Sequence, residues 1–335
     1  MPAIQALADA YPQAELVMIG SPGHAALLGC RPSPVDTVLA LPRSAVSAEP
    51  GEPAKRRLLE RARPVDVAVQ LHDGGTWSNG FVQRLQARLS VGARAPDAGA
   101  LDRTVPYDTR QHDVFRVLEI AGLAGAEPTV LRPRVAVTDQ DLAEGSAALA
   151  GLPEPVLTVH PGGTDPRRRW PVERFAEVAV AAADGGTGIA IVGSADERQL
   201  VRELATACRD RLPRTAHDTV RPLAGVLSGA GLTGVLARSE VLLANDSGPR
   251  HLADAVGTPT VSVYWAANLI NAGPLGRDRH RVHVSTAARC PLCDVEYAGF
   301  DGTGCEHDGS VVASVSAREV LPDVIDLLPT KEKNR

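Results

Sequence analysis

Short apolar runs alternate with longer amphipathic stretches along almost the whole chain. Runs rich in Val, Ile and Leu predict β-strands, because branched side chains pack well on a pleated, buried strand. The predicted strands span residues 15–20, 37–41, 65–71, 156–160, 188–192, 240–244 and 260–264. Helical periodicity covers residues 2–11, 172–183, 197–210, 249–256 and 316–328. Strands separated by helices indicate parallel sheets and an α/β fold class.

The length of the chain and one proline-rich segment predict two domains. At 335 residues the chain exceeds one ordinary core and suits two domains of about 150 residues each. The segment Gly151-Leu-Pro-Glu-Pro155 has two prolines in three residues, so it suits neither a helix nor a strand. We therefore expect a first domain over residues 1–147 and a second over residues 155–330.

The first domain is expected to lack its opening strand. A doubly wound domain usually begins with a central strand, a glycine-bearing turn and a helix. Here the helical pattern begins at Pro2, in the first-turn position that tolerates proline. Either the native chain starts upstream of Met1 or this domain is atypical, and we favour the first alternative. The missing strand predicts a gap in the sheet.

Composition and charge exclude several classes of function. Hydrophobic residues make up 44% and charged residues 22% of the chain, which is ordinary for a globular protein. No apolar run approaches the roughly 18 residues of a membrane span, and no basic start marks a signal peptide. The net charge of −5 argues against a general nucleic-acid binder. We predict a cytoplasmic protein without a nucleic-acid partner or a membrane span, and transient contact with a membrane surface remains open.

A glycine-rich turn follows the predicted strand at 156–160. The segment His160-Pro-Gly-Gly-Thr-Asp-Pro-Arg-Arg-Arg-Trp170 leads into a helical pattern that starts after Pro171. Glycines let the backbone approach an anion, and a helix N-terminus offers unpaired N–H groups. The three consecutive arginines add positive charge for phosphate oxygens. The alternative is a surface loop with solvated arginines.

A second turn follows the predicted strand at 240–244. The strand runs into Asp246-Ser247-Gly248, and Pro249 opens a helix whose first turn carries His251. Ser247 and the nearby N–H groups form a second anion-binding helix start. Asp246 can accept a hydrogen bond from a sugar or ribose hydroxyl, or orient the turn. Helix capping alone is the alternative, because Asp and Ser commonly precede helices.

A third turn, Ile191-Val-Gly-Ser-Ala-Asp-Glu197, again joins a strand, a glycine and an acidic helix start. Glu197 can accept hydrogen bonds from ribose hydroxyls, or it can complement the helix dipole. The sequence favours neither interpretation over the other.

Together these three turns resemble those of glycosyltransferase family 9, the heptosyltransferase family with the GT-B fold. The resemblance runs from about residue 2 to residue 325 and is strongest in HPGG…RRWPVERF, VGSADE and NDSGPRHLADAVGTPTVSVY. It implies two Rossmann-like domains whose parallel sheets face a central cleft. It also implies a nucleotide-sugar donor, typically ADP-heptose, in the C-terminal domain, and no cofactor for catalysis.

The resemblance also implies which residues bind the donor. Arg168 is expected on the donor phosphates with Thr164, and stands where the family usually has Lys. Ribose or base contacts are implied for Glu197. The full set of expected donor-binding residues is Gly163, Thr164, Arg168, Arg169, Glu197, Asp246, Ser247, Gly248 and His251.

The general base of the family has no counterpart in this sequence. Members carry a Gly-x-Gly-Asp-type loop just before the first helix, and this chain begins after that position. The nearest substitute is Asp73 in His72-Asp-Gly-Gly75, which follows the predicted strand at 65–71. A carboxylate there can take the proton of an acceptor hydroxyl. The alternative is that this loop only shapes the acceptor pocket.

Cysteines cluster late in the chain. Cys290-Pro-Leu-Cys293 can present two thiolates to one cation, and Cys305 and His307 follow. These four residues match a tetrahedral Cys3His structural zinc site, and the glycines between them allow the chain to return. Free thiols and a labile disulfide are the alternatives.

The sequence therefore predicts a glycosyltransferase that moves a sugar from an ADP-activated or similar nucleotide-sugar donor to a hydroxyl acceptor, with heptose as the family default. Two alternatives stay open: a nucleotide-sugar-binding protein without turnover, and a nucleotide-sugar epimerase or hydrolase on the same fold. The main prediction depends on one piece of geometry. The turns at 160–170 and 246–251 must converge on a single pyrophosphate.

Overall fold

The apolar runs form parallel strands, as the hydrophobic pattern predicts. A computed structural model describes residues 1–29, 31–41, 52–297 and 306–329. All seven predicted strands and all five predicted helices are confirmed, with ends that differ by at most two residues. Each strand is separated from the next by helical or irregular chain, and every described pairing between strands is parallel apart from one isolated bridge.

The chain divides into two units, Met1–Ala136 and Val137–Arg335. This division comes earlier than the predicted domain end at residue 147, because helix α6 (Asp139–Leu149) packs on helix α9 (Gly229–Ala237) of the second unit. Two glycines allow the close approach. A Cβ added at Gly145 would lie 2.3 Å from the carbonyl carbon of Gly234, so larger side chains would separate the helices.

The first unit contains two small parallel sheets. Its elements are α1 (Pro2–Ala10), β1 (Val17–Gly20), α2 (Pro22–Leu28), β2 (Thr37–Ala40), α3 (Glu52–Ala62), β3 (Val67–Gln70), α4 (Ser78–Gln83), β4 (Leu89–Arg94), β5 (Arg103–Pro106) and α5 (Asp113–Leu123). Among the described residues, β1 pairs with β2, and β4 lies between β3 and β5. No strand of one sheet pairs with a strand of the other among the described residues, and the gap expected from the sequence stays a prediction.

The second unit contains one parallel sheet of six strands. Its elements are α6, β6 (Val156–His160), α7 (Val172–Asp184), β7 (Gly188–Ile191), α8 (Arg198–Arg209), β8 (Val220–Pro222), α9, β9 (Val241–Asn245), α10 (Gly248–Val256), β10 (Thr260–Trp265), α11 (Ala266–Ala272), β11 (His280–Ser285) and α12 (Ala317–Leu327). Strands β6, β9 and β10 are buried along their whole length. Such continuous burial is typical of strands covered by helices on both faces.

The strand order of this sheet determines where a ligand can bind. The order is β11-β10-β9-β6-β7-β8, so the direction of winding reverses between β6 and β9. Ligands of doubly wound sheets lie at such a reversal, beyond the carboxyl ends of the strands. His160 at the end of β6 pairs in register with Ala244 near the end of β9. The first and second predicted turns therefore begin side by side.

Helix α12 is the last described element, and it packs on α7 and on β9, β10 and β11. Of the helices that the structure describes, none has both the length and the apolar character needed to cross a bilayer.

Candidate functional site

Asn245, the last residue of β9, joins the first two turns. Its Nδ2 donates to the carbonyl oxygens of Pro161 and Gly162 at 2.8 and 3.0 Å. Its Oδ1 accepts the backbone N–H of Trp170 at 2.9 Å. The side chain is fully buried, so the amide satisfies three backbone groups that have no access to water. The two turns are thus held together at the switch point of the sheet.

His160 connects all three turns. Its Nδ1 lies 3.0 Å from Ser247 Oγ, and its Nε2 lies 3.4 Å from Glu197 Oε2. Because the hydroxyl of Ser247 faces this ring, it makes no side-chain capping bond to α10. Ser247 stands at the N-cap position of α10, while its hydroxyl joins the turn after β9 to the turn after β6, and its contact with a donor stays a prediction.

Glu197 braces the turn that follows β6. Its Oε1 accepts the N–H of Gly163 at 3.2 Å, and its Oε2 accepts the N–H of Ser194 at 2.8 Å. Glu197 also forms a capping box with Ser194 at the start of a short 3-10 helix. The helix-start interpretation is thus observed, while a contact between Glu197 and a ribose stays a prediction.

The environment of Glu197 keeps it ionised. The hydrogen bond from His160 and the backbone N–H of Ser194 lower its pKa to about 2, although partial burial acts in the opposite direction. A permanent carboxylate at this position holds the glycine turn under any ordinary condition.

We expect Glu197→Gln to lower the melting temperature near neutral pH and to have less effect in acid. A carboxyl with a depressed folded-state pKa stabilises fully above its unfolded value of 4.5, and this contribution is lost as pH falls through about 2. Circular-dichroism melting of the variant and wild type along this pH range tests the sign. The exposed Glu203→Gln on α8 is the control. A melting difference that grows in acid contradicts the assignment.

The three arginines of the first turn have different partners. Arg167 pairs with Asp165 at 2.8 Å. Arg169 donates from Nε and Nη2 to the carbonyl oxygen of Gly163 at 2.9 and 2.7 Å, so it supports the turn from within. Arg168 faces the start of α10, where its Nη1 lies 3.8 Å from Asp246 Oδ2. Among the three, Arg168 is therefore the cation best placed for an anion at that helix start.

Arg168 is held only loosely by the protein itself. Its Nε lies 3.6 Å from Asp165 Oδ2, and both of its carboxylate contacts are too long for hydrogen bonds. The side chain is 29% exposed. A partly exposed guanidinium with long contacts retains donors for phosphate oxygens, and the start of α10 adds the positive end of a helix dipole.

The start of α10 carries the other expected donor residues. His251 is 47% exposed, and its Nε2 lies 3.2 Å from Asp246 Oδ1. Asp246 therefore stands between Arg168 and His251. Gly248 has open space where a Cβ would lie, and Thr164 of the first turn is exposed. The structure thus brings Arg168 of the first turn together with Asp246 and His251 of the second on a partly exposed polar surface of the second unit, and their contact with a donor stays a prediction.

Two residues that organise this surface received no role from the sequence. In the sequence Asn245 is only the first residue of the NDSG motif, and His160 only the start of the glycine turn. One signal in the sequence indicates such a role: each of these polar residues ends an apolar, buried strand. A buried polar side chain at that position must find hydrogen-bond partners near the switch point.

Asp73 lies in the first unit, in the turn after β3. Its φ of 45° is in the left-handed region that Asp tolerates better than most residues. The side chain is 76% exposed, and its Oδ2 lies 3.7 Å from His72 Nδ1. Its role as a general base stays a prediction.

The cysteine cluster is brought together in part. One ligand atom each of Cys290, Cys293 and His307 lies within 4.8 Å of the others. The fourth expected ligand, Cys305, lies outside the described residues.

Comparison with known protein families decides the class of the chain. The family model of glycosyltransferase family 9 (heptosyltransferase) matches residues 57–294, which is more than half of the sequence. The chain belongs to glycosyltransferase family 9. The predicted resemblance is confirmed.

Other members of glycosyltransferase family 9 are similar at low identity. The chain is 28% identical over 248 residues to lipopolysaccharide heptosyltransferase 1 of Pseudomonas aeruginosa, covering 71% of this chain and 65% of that protein. It thus spans slightly less than two thirds of that relative's length. The structure of E. coli ADP-heptose LPS heptosyltransferase II has a TM-score of 0.73 at 19% identity, covering 100% of this chain and 95% of that one.

A second family 9 structure, E. coli heptosyltransferase WaaC with ADP, has a TM-score of 0.65 at 19% identity and covers 97% of this chain and 94% of that one. These similarities confirm the predicted GT-B fold.

Proposed function

We propose that this family 9 protein transfers a sugar from an ADP-activated donor to a hydroxyl acceptor, with heptose as the expected sugar. The observation that carries the proposal is the junction of the turns after β6 and β9 through Asn245 and His160. Family membership supports the class of reaction. The relative named as a lipopolysaccharide heptosyltransferase and the ADP in a solved member support the choice of donor.

In this proposal the diphosphate lies at the start of α10. The backbone N–H groups at Gly248 and the guanidinium of Arg168 face its oxygens, and Thr164 contacts it from the other turn. These groups stabilise the charge that develops on the leaving diphosphate. Asp246 and His251 lie at the sugar side, where a carboxylate and an imidazole can bind hydroxyl groups. Gly163, Arg169, Glu197 and Ser247 hold the turns in place.

The acceptor hydroxyl attacks the anomeric carbon while the bond from that carbon to the diphosphate breaks. The new glycosidic bond forms, ADP leaves with the bonding electrons, and the hydroxyl proton must pass to a base. Asp73 of the first unit is our candidate for that base. We place the reaction in the cytoplasm, with the acceptor presented at a membrane surface when it carries a lipid.

Binding and turnover are tested separately. The melting temperature is expected to rise with ADP and ADP-heptose, and less with UDP or GDP, because a ligand selective for the native state stabilises it. ADP release from ADP-heptose is then followed with and without a glycolipid acceptor. Acceptor-dependent release supports a transferase, whereas acceptor-independent release indicates a hydrolase. Binding of ADP-heptose without any release across plausible acceptors favours a binding protein over the transferase.

We expect Asp246→Ala and His251→Ala to weaken ADP-heptose affinity with little change in the melting of the ligand-free protein. His251 is 47% exposed, so solvent screens the pair that it forms at 3.2 Å with Asp246, which is 11% exposed, and this pair contributes little to folding. Calorimetric titration and ligand-free melting of each variant check this. An equal loss of stability in both, with unchanged affinity, contradicts the donor-binding role.

A further inference from the structure

Three metal-ligating side chains meet in the segment that follows β11. The ligand atoms of Cys290, Cys293 and His307 lie within 4.8 Å of one another, and Cys290 Sγ is 3.8 Å from His307 Nδ1. Ligands of a tetrahedral zinc ion are about 3.6 Å apart, as Zn–S bonds of about 2.3 Å and Zn–N bonds of about 2.0 Å require. The side chains therefore need only small shifts to share one ion.

The backbone around Cys290 presents sulfur to a cation. The N–H of Leu292 donates to Cys290 Sγ at 3.4 Å, which favours the negatively charged thiolate. Cys290 N–H and the carbonyl of Val295 are 2.8 Å apart, and Asp294 N–H lies 2.9 Å from the Cys290 carbonyl. Asp294 has a φ of 57°, so the chain reverses directly after Cys293. A tight turn thus holds Cys290 and Cys293 on one side.

The histidine distinguishes a metal site from a pair of thiols. A disulfide needs only two sulfurs and gains nothing from an imidazole. Here His307, from a segment distant along the chain, lies beside Cys290 although its side chain is exposed. Two thiolates and one imidazole are ligands that zinc prefers.

The segment after His307 supports the first turn of the donor surface. Ser310 Oγ donates to the carbonyl of Arg169 at 2.7 Å, and the N–H of Val311 donates to the carbonyl of Arg167 at 2.8 Å. The indole N–H of Trp170 donates to the carbonyl of Val315 at 2.9 Å. These three bonds flank the backbone of Arg168. Whatever fixes this segment therefore also fixes the proposed phosphate-binding turn.

We propose that Cys290, Cys293 and His307 bind a structural zinc ion that ties the Cys290 turn to the segment supporting Arg168. That this zinc ion positions Arg168 for a donor phosphate rests on the proposed function. That the three side chains bind zinc does not. Zinc adds bonds between the Cys290 turn and the segment of His307, so its removal takes away one restraint on that segment, which Ser285 also holds through the carbonyl of Val311 at 2.6 Å.

Metal analysis of the full chain, purified in reducing buffer and reconstituted with zinc, tests the site directly. We expect about one zinc ion per chain by mass spectrometry, released when an organomercurial blocks the thiols. Cys293→Ser and His307→Ala are each expected to weaken zinc retention by more than about tenfold. Asp308→Asn, an exposed change beside His307, is the matched control and should retain zinc. If a variant fails to fold, the zinc content of the wild-type protein alone tests whether the site binds zinc.

Three results would overturn the site: zinc below a tenth of an equivalent, iron in its place, or a disulfide between these cysteines by thiol titration of protein purified without reductant. The positioning role is tested by ADP titration of zinc-loaded and zinc-free protein, where we expect several-fold weaker binding without zinc. Equal ADP affinities of the zinc-loaded and zinc-free protein would contradict the positioning role but not the metal site. Absence of ADP binding in both forms, with zinc present, rejects the proposed donor and not the metal.

Discussion

Replacement of Asn245 by Ala or Leu is expected to lower the free energy of unfolding of the second unit by at least about 3 kcal/mol, because each buried polar group left unsatisfied costs about 1–3 kcal/mol. The amide serves the carbonyls of Pro161 and Gly162 and the N–H of Trp170, all beyond reach of bulk water. Leu fills most of the space of the amide and Ala leaves a cavity, but both leave these three groups unpaired. Chemical denaturation followed by tryptophan fluorescence measures the loss.

Ser262→Ala is the matched control for this substitution. Ser262 is fully buried in β10, in register with Ala244 of β9, and its hydroxyl has no hydrogen-bond partner among the described residues. Removing a hydroxyl that has no partner leaves no group unsatisfied, so we expect a change within about 0.5 kcal/mol. The contrast between the two variants separates loss of a hydrogen-bonded network from loss of any buried polar group.

The Asn245 variants should also bind ADP more weakly than wild type, since the turn after β6 loses its fixed distance from the start of α10. Asn245→Asp tests the direction of the bonds: it keeps an acceptor for Trp170 but places carboxylate oxygens against the carbonyls of Pro161 and Gly162. We expect it to be at least as destabilising as Ala. Wild-type stability in Asn245→Leu would show that the turns do not depend on this amide.

The local pattern of the sequence was sufficient for the elements that surround this site. Short runs rich in Val and Leu, such as Val156–His160 and Val241–Asn245, predict buried strands because of their length and their β-favouring residues. The glycine turns and the proline after each strand mark the helix starts. These signals lie within about ten residues of one another, so they can be recognised without knowledge of the fold.

The pairings between the turns could not be predicted in the same way. Asn245 and Gly162 are 83 residues apart, and His160 and Ser247 are 87 apart. They meet because β9 lies beside β6, and a strand order is a property of the whole sheet. A sequence pattern indicates that a strand is buried but does not state which strand is its neighbour.

The domain division illustrates the same limit. The boundary predicted from the proline-rich segment at 151–155 leaves most of helix α6 (Asp139–Leu149) in the first domain, whereas the helix packs on the second unit. Its partner α9 carries three glycines, and the two helices approach closely through Gly145 and Gly234. Glycine within a helix normally lowers the stability of that helix. Here it permits close backbone packing, a use that appears only once the partner helix is known.

The second large effect is expected for Arg168→Ala, which should weaken ADP-heptose affinity by about ten- to a hundredfold, since hydrogen bonds to charged groups contribute about 1.5–3 kcal/mol. The ligand-free protein should melt almost unchanged, because both ion pairs of Arg168 are long and its side chain is partly exposed. Arg168→Lys keeps the charge that the family usually places here, and should retain most of the affinity.

Titration calorimetry at increasing salt distinguishes a phosphate contact from a structural role. If Arg168 contacts the diphosphate, wild-type affinity falls with salt more steeply than that of Arg168→Ala, because the variant has lost one screened attraction. Arg202→Ala, an exposed change on α8 that removes the same charge, should keep the wild-type slope and affinity. Identical slopes for wild type and Arg168→Ala, together with a lowered melting temperature, would instead show that Arg168 only holds Asp165 and Asp246 in place.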